Sequence, residues 1–325
     1  MIKILIIGSN SFSGSHMCKY LLDKGHIVYG VSRSKLEKKY LPFDITNKKF
    51  NFYRCNLNKD LEKILKVLKK NKPSVIINYA SQGMVHESWK KPLDWYKTNI
   101  ISQIALIEKI KAFKFVKKFI NFSTPEVYGD TKKISNEEIY FNPTTPYAVS
   151  RSTTDYHLNC LNKSFGFPSI ITRTANVYGP FQRLYRIIPK SIMLMKNKKK
   201  VKIHGDGLSK RSFIYIYDVC EALYKIIING KKGETYHIST NKFITIRDLV
   251  KLINKILSPN NKRYLFVKDR VGKDQRYFLS STKIRSKLGW KDKTKLNDGI
   301  MQTINWINSN YNLLKDEKLE YVHKK

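Results

Sequence analysis

The 325-residue sequence predicts an α/β protein with a doubly wound parallel sheet and a smaller C-terminal α/β domain. Three observations predict it. Short β-branched or aromatic runs alternate with helical stretches through the first half. A glycine-spaced loop follows the first run and opens a helix. The texture of the chain then changes near Ala175.

The strand-like runs are residues 2–7, 27–31, 52–55, 75–79, 119–122 and 169–173. Helical stretches at 15–24, 61–70, 94–112 and 147–165 separate several of them. Alternation of this kind implies right-handed βαβ crossovers and a parallel sheet. After Ala175 the segments shorten, with turn signals at Tyr178-Gly-Pro180, His204-Gly-Asp-Gly207 and Ser258-Pro-Asn-Asn261. The reading is one domain over residues 1–175, rejoined by about 213–239, and a second over 176–212 and 240–325. Residues 213–228 and 235–239 are expected to return to the sheet, and lysine-rich 315–325 to form a weakly ordered tail.

Composition narrows the class. With 42% hydrophobic residues the chain is globular rather than disordered. The apolar run at 1–7 is too short for a signal peptide or a span, and no later run approaches the roughly 18 apolar residues a transmembrane helix needs. Cys18, Cys55, Cys160 and Cys220 stand far apart, with neither disulfide nor zinc spacing, so a reducing, cytoplasmic setting and no metal site are expected. The net charge of +37 raises the question of nucleic acid. Lysine is spread through nearly every segment, however, and no recognition motif accompanies it. The expectation is a solvated basic surface without a nucleic-acid or membrane partner, whose field attracts a doubly negative small ligand.

Gly8-Ser-Asn-Ser-Phe-Ser-Gly14 lies between the first strand and its helix. Gly8 permits a tight turn, Gly14 permits close packing, and the helix N-terminus offers free N–H groups to a pyrophosphate. That is a Rossmann dinucleotide site, although a plain strand-to-helix turn can use the same glycines. After the second strand an NAD enzyme usually carries an acid on the ribose 2′-hydroxyl. Here Val31-Ser-Arg-Ser-Lys35 places Ser32, Arg33 and Lys35 instead, and a guanidinium fork suits a 2′-phosphate, which favours NADP over NAD.

Further on, Ser123-Thr-Pro-Glu-Val-Tyr-Gly129 ends a strand, and Tyr147 and Arg151 lie at i and i+4 on the next helix. A cation there lowers a phenol pKa and makes tyrosine a usable base. With Asn176-Val-Tyr-Gly-Pro180, Arg211-Ser-Phe-Ile-Tyr-Ile-Tyr-Asp218, Gly233-Glu-Thr-Tyr-His-Ile238 and Leu288-Gly-Trp290, this order of motifs resembles the sugar-nucleotide dehydratases and epimerases of the extended short-chain dehydrogenase/reductase type. The likeness runs over nearly the whole chain. It is strongest to dTDP-glucose 4,6-dehydratases and extends to GDP-mannose 4,6-dehydratases.

The resemblance implies an internal redox reaction on a nucleotide sugar. Tyr147 takes the C4 hydroxyl proton while hydride leaves for the nicotinamide, and Thr124 holds that hydroxyl. Glu126 removes the C5 proton, water leaves from C6, and the hydride returns there. By the same resemblance Ser11, Phe12, Ser13, Asn56, Leu57, Ala80 and Thr98 join Gly8 and Gly14 at the cofactor. Asn176, Arg186, Arg211, Arg270 and Lys273 would hold the sugar nucleotide, and helices 94–112 and 147–165 would pair into a four-helix homodimer interface. Three positions depart from the pattern: Ser11 replaces a glycine, Pro125 an acid and Arg151 a lysine. A 4-epimerase, which needs Tyr147 but no base at C5, is the alternative enzyme. A non-catalytic NADP-binding protein is the alternative outside catalysis.

Overall fold

The computed structural model describes residues 1–131, 133–269 and 276–323. Seven strands form the main sheet: β1 (Lys3–Ile7), β2 (Ile27–Ser32), β3 (Phe50–Arg54), β4 (Val75–Asn78), β5 (Lys118–Ser123), β6 (Ser169–Thr174) and β7 (Thr235–Ile238). They are all parallel, in the order β7-β6-β5-β4-β1-β2-β3. Such a sheet is covered on both faces, so its central strands read as continuous apolar runs instead of alternating ones. In β1, Ile4 and Ile6 pack into one apolar cluster and Leu5 and Ile7 into another.

The helices divide accordingly. Leu5 and Ile7 meet α2 (Leu61–Asn71), α3 (Ser102–Ile110) and α4 (Pro146–Phe165) through residues such as Leu68, Ile107 and Leu158. Ile4 and Ile6 face α1 (Phe12–Asp23) through Met17 and Leu21. That second cluster continues without a break through α5 (Ile187–Lys196), α6 (Ile216–Asn229), α7 (Ile246–Leu257) and α8 (Leu296–Ser309). One core therefore joins the sheet to the later part of the chain.

Local chemistry explains where the site-bearing elements begin and end. At the start of α4, Thr145 Oγ1 accepts from the Ala148 amide at 3.1 Å and Pro146 takes the first helical position, where its missing N–H costs nothing. Gly166 stops α4 in the left-handed region at φ 63°. The stretch expected as one helix over 94–112 is instead a short helix, Pro92–Tyr96, a π-helical turn at Lys97–Ile101, and α3. Within that turn Asn99 is wholly buried and bonds the backbone of Gln82 in both directions, at 2.8 and 3.1 Å. The wider turn spends its helical regularity on holding the loop after β4.

Two expectations are corrected. Of residues 213–239, only β7 joins the sheet. Phe213–Tyr215 pairs with Asn176–Tyr178 in a separate two-stranded ladder, and α6 packs on α1, because 219–227 repeats its apolar residues at helical spacing. Over its described residues, to His323, the tail is also not loose. Leu314 is wholly buried, Leu319 packs on the main core, Glu317 pairs with Lys39, Glu320 with Lys190, and His323 with Asp94. Lysine content hid these anchors, since the contacts come from the few acids and rings between the lysines. Among the described residues no helix is long and apolar enough to cross a membrane.

Candidate active site

The strand order reverses between β1 and β4, and in parallel sheets ligands bind at such a switch point, beyond the carboxyl ends of the strands. Gly8 leaves β1 at φ 84°, and a β-carbon there would lie 2.9 Å from the Ala80 amide nitrogen beyond β4. A β-carbon on Gly14 would lie 2.2 Å from the Gly8 carbonyl oxygen, so helix α1 can approach its strand only without one. Ser11, which the resemblance set against a glycine, is extended at φ −71° and caps α1, its hydroxyl accepting from the Gly14 amide at 3.1 Å. The first bond inside the helix runs from the Ser15 amide to the Ser11 carbonyl. The amides of Phe12 and Ser13 thus have no acceptor within the helix, the condition under which a helix N-terminus receives an anion.

Along the same groove the Ser32 hydroxyl accepts from the Asn10 amide at 3.1 Å, which ties the ends of β1 and β2 together. Arg33 follows, half-buried, and Lys35 is exposed. On the far bank Thr98 Oγ1 accepts from Asn58 Nδ2 at 3.0 Å. A cavity of about 300 Å³ opens there among Asn56, Asn58, Lys59, Gln82, Asp94, Lys97 and Thr98. Leu57 packs beside it on the α2 cluster. Ala80 closes the groove floor, its carbonyl accepting from Gln103 Nε2 at 2.5 Å.

At the other end of the groove the Tyr147 hydroxyl hydrogen-bonds Thr124. Thr124 caps the 3₁₀ turn Pro125–Tyr128, its Oγ1 accepting from the Glu126 amide at 3.4 Å. Thr124 and Tyr147 are 5% and 9% exposed, and Glu126 is half-buried beside them. Arg151, one turn along α4, is 1% exposed. Its Nη2 donates to the Phe122 carbonyl at 2.5 Å, while Nε and Nη1 have no partner among the described residues. Buried guanidinium donors left open in this way fit a ligand's hydroxyls or carbonyls in the groove.

Sequence reasoning missed the support behind these groups. Asp155 lies one turn beyond Arg151, on the same face of α4. Its Oδ2 accepts from Ser123 Oγ at 2.7 Å and from Arg173 Nη2 at 3.0 Å, and its Oδ1 accepts from Asn121 Nδ2 at 3.2 Å. Asn121 Oδ1 in turn accepts from Asn78 Nδ2 at 3.0 Å, and Asn78 Oδ1 accepts from the Ala80 amide at 3.3 Å. Arg173 Nη1 donates to the Tyr128 hydroxyl at 2.6 Å. Tyr128 passes its own proton toward His237 Nε2 at 2.9 Å, since His237 Nδ1 faces the Ser280 carbonyl and burial pushes this imidazole well below its usual pKa. A continuous buried chain therefore runs from the cofactor loop to the turn that carries Glu126. The 147, 151, 155 spacing was the available signal.

Of the residues expected at the sugar nucleotide, Asn176 and Arg211 meet at Tyr277. The Tyr277 hydroxyl donates to Asn176 Oδ1 at 3.3 Å, and the Arg211 guanidinium lies 4.4 Å from the centre of the same ring. Arg186 lies instead at the reacting end, near the bare Gly83 and within the electrostatic reach of Tyr147. Arg270 and Lys273 fall outside the described residues. Among those residues no group of His, Cys, Asp and Glu could hold a metal ion, and all four cysteines are free thiols.

The model of the family described as GDP-mannose 4,6 dehydratase matches residues 5–303. The chain belongs to that family. It is 31% identical to the human dTDP-D-glucose 4,6-dehydratase over 325 residues, covering 97% of this chain and 92% of the relative. A trifunctional UDP-glucose 4,6-dehydratase/3,5-epimerase/reductase of Arabidopsis thaliana is 32% identical over 95% of this chain, which spans about half, 47%, of that longer protein. Among solved structures, the Bacillus anthracis dTDP-glucose 4,6-dehydratase in complex with NAD superposes with a TM-score of 0.87 at 27% identity, over 96% of this chain and 98% of the other. The UDP-glucose 4-epimerase of Thermotoga maritima with UDP-glucose gives 0.88 at 29%, over 95% and 100%. With that family the chain shares a Rossmann fold of the extended short-chain dehydrogenase/reductase type.

The protonation of Tyr147 differs from the expectation. Burial pushes its phenol up, the Glu126 carboxylate adds to this, and Arg151, the Thr124 bond and Arg186 pull it down without overcoming the rise. A tyrosine base acts as phenolate, so its rate contribution grows as pH rises toward this raised pKa. Arg151→Met removes a downward pull. The alkaline-rising limb of the pH–rate profile then moves to higher pH by about one unit. A limb at the wild-type position in this variant would remove Arg151 from the electrostatics of Tyr147.

Proposed function

We propose that the chain is a nucleotide-sugar 4,6-dehydratase, forming a 4-keto-6-deoxy sugar nucleotide by internal hydride transfer. The observation that carries this reading is the single capped turn that holds Thr124 and Glu126 together against Tyr147. Two adjacent sugar carbons can thereby meet two different bases. The bound nicotinamide supplies a hydride acceptor and donor. Tyr147 takes the C4 hydroxyl proton while Thr124 orients that hydroxyl. Once C4 is a ketone, the C5 proton is acidic enough for Glu126 to remove. Pro125 offers no proton, so in this reading Glu126 hands the C5 proton on to the C6 oxygen, which leaves as water. The 4-keto-6-deoxy sugar is completed when C6 takes back the hydride from C4 and C5 gains a proton in place of the one Tyr147 took. Arg186 lies at the sugar end, and Asn176, Tyr277 and Arg211 form the cluster that would face the diphosphate.

The division of labour follows the two parts read from the sequence, with residues 1–175 and about 213–239 at the cofactor and the remainder at the sugar nucleotide. Cytoplasmic action fits the four free thiols. A 4-epimerase remains the second reading, favoured by the missing acid at Pro125. Glu126→Gln separates the two. General-base catalysis contributes about 10²–10⁴-fold. The variant should bind substrate and cofactor normally, lose at least about a hundredfold in dehydration and stop exchanging the C5 proton with deuterated solvent. Conversion of nucleotide sugars at the wild-type rate would make Glu126 dispensable and favour the epimerase.

For the cofactor we propose NADP, supported by Arg33 and the absence of an acid at the end of β2. Arg33→Asp should weaken NADP while sparing NAD, measured as separate dissociation constants. Equal wild-type affinity for the two cofactors would end the case for NADP.

We propose a homodimer through α4 and the segment around the π-helical turn. Ile107 and Leu161 are core, but Leu93, Ile101, Val149 and Tyr156 are 77%, 65%, 36% and 43% exposed on those elements. Large apolar side chains exposed together mark an interface. Sedimentation at micromolar concentration should give a dimer, and a monomer alone would refute it.

A further inference from the structure

Residues 317–323 cross from one bank of the groove to the other. Glu317 is held on the β2 side by Lys39 and by the Tyr40 hydroxyl, which donates to it at 3.3 Å. Glu320 meets Lys190 of α5 at 2.5 Å. Tyr321 packs edge-on against Tyr185, ring centres 5.2 Å apart, and its hydroxyl lies 3.5 Å from Gln82 Oε1. The Tyr321 phenol also feels the charges of Arg33 and Arg186, from opposite ends of the groove. His323 closes the crossing, 2.8 Å from Asp94 and stacked on the wholly buried Trp95 at 5.1 Å between ring centres.

Individual ion pairs at a surface are weak, so no one of these contacts fixes the segment. Their sum does, because Leu314 and Leu319 anchor its start in the core and the His323–Trp95 stack anchors its end. What the crossing leaves open decides its role. Gln82 and Asp94, which receive Tyr321 and His323, also line the cavity shared with Asn56 and Thr98, and that cavity stays open with the segment docked. The segment borders this part of the ligand space and does not fill it.

We propose that residues 317–323 form a strap that completes the outer wall of the cofactor groove, with Tyr321 as its cofactor-facing residue, and that the strap slows release of the nicotinamide cofactor. The inference rests on the groove being the cofactor site. An internal hydride transfer returns the cofactor to its starting state each turnover, so the reaction gains from holding it and loses nothing by slow exchange.

The test uses the full chain, the variants Tyr321→Ala and His323→Ala, and a chain shortened after Lys315. Each is loaded with NADPH or NADH, and release is followed by fluorescence after a chase with excess oxidised cofactor, with no sugar present. Differences of this kind fall mainly on the dissociation rate. Release should be about tenfold faster from the shortened chain and measurably faster from Tyr321→Ala. Melting temperature is recorded alongside, and if the shortened chain fails to fold, the two point variants carry the test. Wild-type release rates in folded variants would overturn the proposal. Faster association and tighter binding in the variants would also overturn it, since the strap would then block the groove. Wild-type protein that binds neither cofactor would defeat the cofactor reading itself, a result distinct from either.

Discussion

The arrangement of the site depends on one buried ion pair. Asp155 and Arg173 are 0% and 1% exposed, so both charges are held out of water at a cost of several kcal/mol each unless they are paired and fully hydrogen-bonded. Asp155 meets that condition with Ser123, Asn121 and Arg173, and Arg173 adds Tyr128. The geometry this demands is narrow. It fixes α4 against the end of β5, and therefore Tyr147 against Thr124, because Asp155 and Tyr147 share one face of one helix. The same pair fixes the far end of the Glu126 turn through Tyr128, whose hydroxyl burial pushes up to about 12 and keeps protonated. Gly129 completes the clamp: a β-carbon there would lie 2.2 Å from the Asn142 carbonyl oxygen.

This rigidity bears on how charge is managed at the groove. Tyr147 is buried beside a carboxylate, which opposes formation of a phenolate. A cation held within a fixed distance counters that opposition, and at an effective dielectric of 20 a unit charge about 4 Å away is worth roughly 4 kcal/mol. Arg151 is held on α4 by its bond to the Phe122 carbonyl, and its Nε and Nη1 are buried without a partner among the described residues. Arg186 supplies a second positive charge from a different part of the chain. The balance is thus struck by position, with Glu126 and the two guanidinium groups at the corners of one site.

What the sequence made legible follows from what is local. The six sheet strands read from the first half have their counterparts in β1–β6, because a strand buried on both faces is a plain apolar run. The glycine loop was legible from its place between strand and helix, and Gly14 answers a contact with Gly8 itself, although the contact that Gly8 answers, Ala80, lies beyond β4. The π-helical turn was not, since it exists to bond Gln82 and nothing within 97–101 announces that need. Nor was the strap, whose anchors Lys39, Lys190, Asp94 and Trp95 are scattered over the chain. The Asp155–Arg173 pair joins residues on a helix and the following strand, and in a lysine-rich sequence one more arginine carried no visible weight. Periodicity reports a residue's face; it does not report the partner waiting there.

The three departures from the family pattern look like decay when taken together, but the local structure gives each a specific task. Ser11 sits in extended backbone, where a β-carbon is tolerated, and its hydroxyl supplies the helix cap that a glycine could not. Pro125 occupies the first position of a capped turn, where its locked φ stiffens the backbone directly before Glu126. Arg151 keeps the cation of the usual lysine and adds a planar fork that bonds the Phe122 carbonyl and keeps two further donors open. A degenerating site loses partners and leaves buried donors stranded at random. Here every member of the chain from Ala80 to Tyr128 is bonded, and the two open donors on Arg151 lie one turn along α4 from Tyr147. The departures are better understood as an alternative way of holding Tyr147 and Glu126 in one site.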